Sequence, residues 1–182
     1  MSSSFFALRP AEIADLPAVR AIYAQAVETG CASFETVAPD LAEMTRRFQA
    51  ITGAGYPWLA AIVDGVLAGY AYAGPYRPRP AYRPTVENSI YVAETARGLG
   101  LGRALLAALI EACEARGYRQ MIAVIGDSAN YASIGLHAAL RFEHAGLLRS
   151  VGWKHGRWLD SVLMQRALGD GDATPPAAGP EA

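Results

Sequence analysis

The run Arg97-Gly98-Leu99-Gly100-Leu101-Gly102-Arg103 is the stretch of this 182-residue chain best suited to hold an anion. Glycines at 98, 100 and 102 clear side chains from a loop that leads straight into an apolar helical pattern. The first-turn N–H groups of a helix have no intrahelical partner, and its dipole places positive potential at that end. A phosphate or pyrophosphate suits such a loop. Upstream, Glu87 places a carboxylate inside the β-rich run Thr85-Val86-Glu87-Asn88-Ser89-Ile90-Tyr91-Val92, where burial without a partner is unfavourable. Downstream, Asn130, Ser133 and His137 share one short helical stretch. An imidazole, with an ordinary pKa of about 6.5, can exchange a proton near neutrality. A histidine on a packed helix can equally be a structural group bonded to backbone, and both readings stand. Arg77, Arg79 and Arg83 lie in GPYRPRPAYRP, where prolines at 75, 78, 80 and 84 exclude a regular helix. A guanidinium fork suits carboxylate or phosphinate oxygens, with Arg77 the first candidate; the other reading is a solvated basic loop.

Spacing separates the phosphate-binding patterns that the glycines could serve. A P-loop needs G-x-x-x-x-G-K-[ST], which does not occur. In G-x-G-x-x-G the last glycine would fall on Arg103 or Leu105, so that fingerprint fails too. What remains is [RQ]-x-x-G-x-[GA] after a strand, met by Arg97, Gly100 and Gly102. Taken alone, the loop could also be a glycine-rich strand-to-helix turn without a ligand.

These residues need elements to position them. Residues 5–9 read as a first strand. Asp15 is placed as N-cap of a helix with Pro17 in its first turn and an apolar face of Leu16, Val19, Ile22, Tyr23, Ala26 and Val27, closed by Gly30. Residues 31–36 form a loop in which Phe34 is either a plug on the core or one wall of a substrate pocket. Asp40 and Glu43 have capping-box spacing for a second helix reaching Thr52. Strands over 58–63 and 66–73 join at Asp64-Gly65, a two-residue hairpin signal, and Tyr70 and Tyr72 give the second strand one aromatic face. Residues 85–92 form the central strand, and the helix after the glycine loop runs over 101–116 with apolar residues at 105, 106, 109, 110 and 113. Met121-Ile122-Ala123-Val124-Ile125 reads as a strand buried on both faces. Two last strands, 143–151 and 158–165, follow, joined by a turn at 154–157. The reading is one domain over 1–168 and a disordered tail over 169–182, GDGDATPPAAGPEA, small and proline-rich.

Composition narrows the function classes. A hydrophobic content of 52% with 18% charged residues fits a globular domain with a sizeable core. A net charge of −1 gives no general footprint for nucleic acid or an anionic membrane. No apolar run approaches the roughly 20 residues of a membrane span, and the N-terminal stretch lacks a signal-peptide pattern. Cys31 and Cys113 have neither disulfide-scaffold nor zinc spacing, so no metal is expected. A cytoplasmic protein is the expectation.

A second motif joins the glycine loop. Asn130, Ser133, Leu136 and His137 meet N-x-x-[AS]-x-x-[LF]-[YH], and Arg141-Phe142-Glu143 follows as [GR]-F-E. Both motifs, in this order over residues 5–166, resemble the GNAT superfamily of acyl-CoA-dependent N-acyltransferases. Within it the chain looks most similar to the phosphinothricin and methionine sulfoximine N-acetyltransferases. Gly69-Tyr70-Ala71-Tyr72-Ala73-Gly74-Pro75, Thr85-Val86-Glu87, Ser133-Ile134-Gly135-Leu136-His137 and Lys154-His155-Gly156-Arg157-Trp158-Leu159-Asp160 carry that similarity.

The resemblance implies an α/β (α+β) fold: a mixed, mostly antiparallel sheet flanked by about four helices, with a strand splayed at a bulge beside the acyl-CoA site. It implies acetyl-CoA as donor, held by Ile90, Tyr91, Val92, Arg97, Gly98, Leu99, Gly100, Leu101, Gly102, Arg103, Asn130 and Ser133. The Val92 N–H would serve the oxyanion, Asn130 the pantetheine amides, and Ser133 the cofactor or a helix cap. Glu87 would be a base or an amine anchor, and His137 the acid for the thiolate. The acceptor would be a small amino acid with a tetrahedral polar head, met by Phe34, Pro75, Tyr76, Arg77, Thr85, Val86 and Glu87. A homodimer is implied, with residues 154–158 near the partner's acceptor pocket. Two alternatives stay open: an acetyltransferase acting on protein or peptide amines, and a silent acyl-CoA sensor.

Overall fold

The computed structural model describes residues 6–176. Its strands are β1 (Phe6–Pro10), β2 (Trp58–Val63), β3 (Val66–Pro75), β4 (Thr85–Val92), β5 (Gln120–Gly126), β6 (Glu143–Lys154) and β7 (Arg157–Ala167). Its helices are α1 (Leu16–Thr29), α2 (Leu41–Gly53), α3 (Leu101–Glu114) and α4 (Tyr131–Ala139). The strands form one sheet in the order β1-β2-β3-β4-β5-β7-β6. Only the central pair, β4 and β5, is parallel; every other neighbour is antiparallel. This is the mixed, mostly antiparallel sheet with four helices that the sequence led us to expect.

Period-two alternation along β4 divides its side chains between two cores. Val86 is fully buried with Leu105, Leu106 and Leu109 of α3 on one face. Tyr91 turns to the other, where Tyr23, Phe48, Trp58 and Tyr70 pack with α1 and α2. The expected aromatic face is there: Tyr70 stacks between Trp58 at 6.0 Å and Tyr91 at 5.3 Å, and Tyr23 meets Tyr91 edge-on at 5.0 Å.

Local signals give most element ends. Asp64 and Gly65 both take positive φ, 49° and 80°, as a tight two-residue hairpin turn demands. Asp40 caps α2 by accepting from Glu43 N at 2.8 Å. Glu43 does not close a capping box; its carboxylate pairs with Arg46 and Arg47. Asp15 holds the N-cap position of α1, with Pro17 in the first turn as read, but it also ends a 3₁₀ turn, Ile13–Asp15, and its side chain makes no cap bond to α1. Its carboxylate instead takes Arg9 at 2.7 Å through both oxygens and the Glu12 N–H at 2.8 Å.

The central pair opens a fork. Parallel pairing of β4 with β5 runs from Thr85↔Gln120 to Asn88↔Ala123 and then stops, although both strands continue. The register of β4 on β3 is unbroken from Gly69↔Val92 to Pro75↔Val86. The expected splay is present, but no bulge in β4 produces it; divergence from β5 is enough. Val124, expected in a doubly buried strand, is 40% exposed because it lies past the fork.

Residues 169–176, placed by composition in a disordered tail, return to the sheet. Arg119 reaches the Asp170 carboxylate at 3.3 Å and the Thr174 hydroxyl at 2.5 Å, and Leu168 is fully buried. Residues 177–182 of that tail, and Phe5 of the first strand, lie outside the described residues.

Candidate active site

The fork is one wall of a cleft of about 830 Å³, lined also by the end of α1, residues 30–34 and the exposed face of α4. Of the expected donor-binding residues, Ile90, Tyr91, Val92, Arg97, Gly102, Asn130 and Ser133 line it. Gly98, Leu99, Gly100 and Arg103 are exposed beside them. The Leu101 side chain is 1% exposed and anchors α3 in the core, so only its backbone can serve a ligand.

The loop has the backbone that its glycines suggest. Gly98 and Gly100 take φ of 80° and 81°, and a Cβ at either would meet nothing within 4 Å. Glycine is therefore required there by backbone conformation alone. The first helical bond of α3 is Ala104 N to Gly100 O at 3.1 Å. The N–H groups of Leu101, Gly102 and Arg103 precede that bond, in the first turn of α3, and have no intrahelical acceptor. Unoccupied amides on a left-handed loop at a helix start form a concave anion site.

Glu87 lines the cleft from β4. Burial alone pushes its carboxyl up from the ordinary range, and no hydrogen bond or ion pair reaches it among the described residues. Its neighbours on the same face are aromatic or weakly polar, including Ser89 and Tyr91.

His137 is 4% exposed and faces the fork from α4. Its Nδ1 lies 2.8 Å from Ser133 O and its Nε2 3.0 Å from Asn88 Oδ1. Phe142 meets the ring edge-on at 4.9 Å. Burial lowers the imidazole below its ordinary range, against a smaller opposing pull from the Ser133 carbonyl. Asn130 accepts from Ser133 N at 3.2 Å and so caps α4. The cap is therefore Asn130, not Ser133, and this use of the Asn130 oxygen competes with a pantetheine contact.

The acceptor end differs most from expectation. Phe34 and Glu87 line the cleft, whereas Pro75, Tyr76, Arg77, Thr85 and Val86 do not. Val86 points to the α3 core by strand alternation. The Arg77 guanidinium is stacked on Tyr76 at 5.1 Å and Tyr82 at 5.8 Å, outside the cleft. The proline loop is stiff as read, and it includes a 3₁₀ turn, Pro80–Tyr82.

What builds this end comes from distant parts of the chain. The Phe34 ring rests where glycines leave room: a Cβ on Gly152 would lie 2.5 Å from Cε2, and one on Gly126 2.8 Å from Cε1. Lys154, 5% exposed, donates to Ser33 O at 2.7 Å, and His155 Nε2 meets Gly30 O at 3.2 Å. Arg157 pairs with Asp127 and holds its carboxyl below the usual range. Lys154, expected near a partner's pocket, thus secures a loop of its own chain. No sequence signal marked Asn88, Ser33 or Asp127, because each acts through residues remote in sequence.

A family model described as Acetyltransferase (GNAT) family matches residues 19–142. The chain is a GNAT acetyltransferase. It is 58% identical to a phosphinothricin N-acetyltransferase of Alcaligenes faecalis, over 89% of this chain and 82% of that one. It is 46% identical to an L-methionine sulfoximine/L-methionine sulfone acetyltransferase of Pseudomonas paraeruginosa, over 88% and 94%. The crystal structure of a phosphinothricin acetyltransferase from Sinorhizobium meliloti, in complex with AcCoA, superposes with a TM-score of 0.93 at 50% identity, covering 96% and 95%. In this GNAT acetyltransferase, the first-turn amides of α3 and the edge of β4 past Asn88, where pairing with β5 has ended, both border the cleft. No helix among the described residues is long and apolar enough to cross a membrane.

Proposed function

We propose that this chain transfers the acetyl group of acetyl-CoA directly to the α-amine of a small amino acid of the phosphinothricin, methionine sulfoximine or methionine sulfone type. The observation that carries the reading is Glu87: a carboxylate in the cleft, without a hydrogen bond or ion pair among the described residues, beside the fork where the donor's thioester would lie. A protein holding such a group half-buried and unpaired bears a desolvation cost, which an incoming ammonium would offset.

The donor supplies an activated acyl carbon and a thiolate leaving group. The chain's own residues do the rest. Amides of residues 98–103 hold the diphosphate, and the Val92 N–H, on the unpaired edge of β4, is aimed to stabilise the oxyanion. An oxyanion-hole donor contributes about 3–4 kcal/mol in other enzymes. Glu87 attracts the ammonium and takes its proton, directly or through water; its raised pKa narrows the gap to the amine. His137, on the α4 side of the cleft, supplies a proton to the departing sulfur. Phe34 closes the acceptor end over Gly126 and Gly152. Arg77 would reach an acceptor carboxylate only by leaving its stack on Tyr76 and Tyr82.

A homodimer in the cytoplasm belongs to the same reading. The edge strand β6 and its neighbour β7 carry exposed Leu147, Leu148, Val151, Trp153 and Trp158, which supports self-association. Cys31 and Cys113 are free thiols, which fits a reducing compartment. Sedimentation that shows only monomer at micromolar concentration would remove the dimer.

Thiol release from acetyl-CoA, measured over a panel of amino acids, amines and peptides, tests the activity. Turnover on phosphinothricin and methionine sulfoximine is expected. Turnover on peptides alone points to protein acetylation, and tight acetyl-CoA binding without turnover to a sensor.

A further inference from the structure

Asn88 stands at the point where β4 and β5 part, and its amide touches two other elements. Its Nδ2 donates to Ile122 O of β5 at 3.1 Å, and its Oδ1 lies 3.0 Å from His137 Nε2 of α4. Asn88 is 7% exposed, so water does not compete freely for either side of the amide. A carbonyl can only accept, so the side of the amide facing Ile122 O must be its NH₂. The opposite side is then an acceptor, and it satisfies His137 only when Nε2 carries a proton.

The other ring nitrogen is under the reverse instruction. Nδ1 faces Ser133 O at 2.8 Å, a contact that needs the proton on Nδ1. A neutral imidazole has one proton for two acceptors. With Ser133 alone, the ring would settle as the Nδ1–H tautomer and turn a bare lone pair toward Asn88, from which no proton can be given. Asn88 is what opposes that choice. We propose that Asn88 is a positioning residue that selects the Nε2-protonated forms of His137, so that the nitrogen facing β4 carries N–H.

The inference rests on the acid role of His137 for its catalytic meaning, but not for its physics. Few other groups could set the ring's state. From α4 it faces Ser133, from β4 Asn88, and from the segment after α4 Phe142. None of these is charged, and no charged side chain contributes to the lowering of its pKa. Glu87 and Asp127 line the same cleft, the first from the opposite face of β4 and the second paired with Arg157.

The test is ¹⁵N NMR of the histidine rings in the full chain, whose three histidines are assigned with the exposed positions substituted, His144→Gln and His155→Gln. The ring of His137 in the parent is expected to show a protonated Nε2 at pH 7. In Asn88→Leu, with the same branching of side-chain heavy atoms but without an acceptor, Nε2 should move to the shift of a bare nitrogen. In Asn88→Asp, which keeps the acceptor and adds charge, Nε2 stays protonated and the ring's proton affinity rises by about tenfold or more. An unchanged Nε2 shift in the Leu variant overturns the proposal. If that variant fails to fold, an unchanged titration of His137 in the Asp variant does so. Kinetics then separate this inference from the acid role. With His137 as acid, Asn88→Leu lowers kcat on acetyl-CoA by about tenfold or more and much less on an activated thioester, at similar KM. A changed ring spectrum with a leaving-group-independent kcat supports the selection by Asn88 and removes the acid role instead.

Discussion

At the residue scale, Glu87 sets function against stability. Its carboxyl is raised by burial and has no compensating partner. A carboxyl whose folded pKa lies above its unfolded value favours the protonated, folded form. Its stabilising contribution is full below the unfolded pKa and is lost as pH rises through the folded one. At neutral pH the ionised group is therefore a burden on the fold. Glu87→Gln, which removes the charge and keeps the shape, should raise the Tm at pH 7–8, with the difference from the parent vanishing near pH 4. Thermal scans across that range check it; equal Tm values at pH 8 would show that the carboxylate is solvated or paired in solution. The same sign reasoning predicts that kcat/KM falls as pH drops through the raised Glu87 pKa, since the base is lost on protonation.

At the scale of elements, the acceptor end is a joint between the 30–34 loop and the β6–β7 hairpin. Two glycines, 126 and 152, make that joint possible: a side chain on Gly152 would intrude on Phe34 at 2.5 Å, and one on Gly126 would press on Cys31 O at 2.1 Å. Gly152→Ala should displace Phe34 and, with it, the wall of the cleft. The expected result is an acceptor KM raised about tenfold or more, equivalent to roughly 1.4 kcal/mol, with acetyl-CoA affinity unchanged because residues 98–103 lie at the other end. Steady-state kinetics with each substrate varied in turn reads both. An unchanged acceptor KM would mean that Phe34 is no part of the pocket.

These same elements show what sequence could and could not carry. The Asp64-Gly65 turn and the glycine loop were legible because positive φ is a local demand that few residues meet. Glu87 stood out in the sequence as a carboxylate inside a β-rich run, and the structure then places it in the cleft. Asp15 takes the N-cap position as read but not with its side chain, because Arg9 lies close enough in the fold to take the carboxylate from the helix end. The resting place of Arg77 was not legible because Tyr76 and Tyr82 offer its guanidinium ring faces within its own loop. Asn88, Ser33 and Lys154 were illegible for a different reason: each is defined by a partner far along the chain, and no local periodicity encodes such a meeting.

At the scale of the whole molecule, the account depends on two halves of one fork meeting. Helix α3 brings its unpaired amides to one end of the cleft, and β4 brings Glu87 to the other. The sheet makes that arrangement rigid, since β4 is paired on β3 along its full length from Gly69↔Val92 to Pro75↔Val86. The divergence from β5 leaves the opposite edge of β4 free to take a ligand. The most direct measurement of that claim is thiol release from acetyl-CoA at pH 7 with phosphinothricin as acceptor, comparing the parent with Glu87→Gln, alongside acetyl-CoA binding by calorimetry. Glu87→Gln is expected to show kcat/KM reduced by about tenfold or more with donor affinity retained; equal kcat/KM in the two proteins would contradict a catalytic role for Glu87.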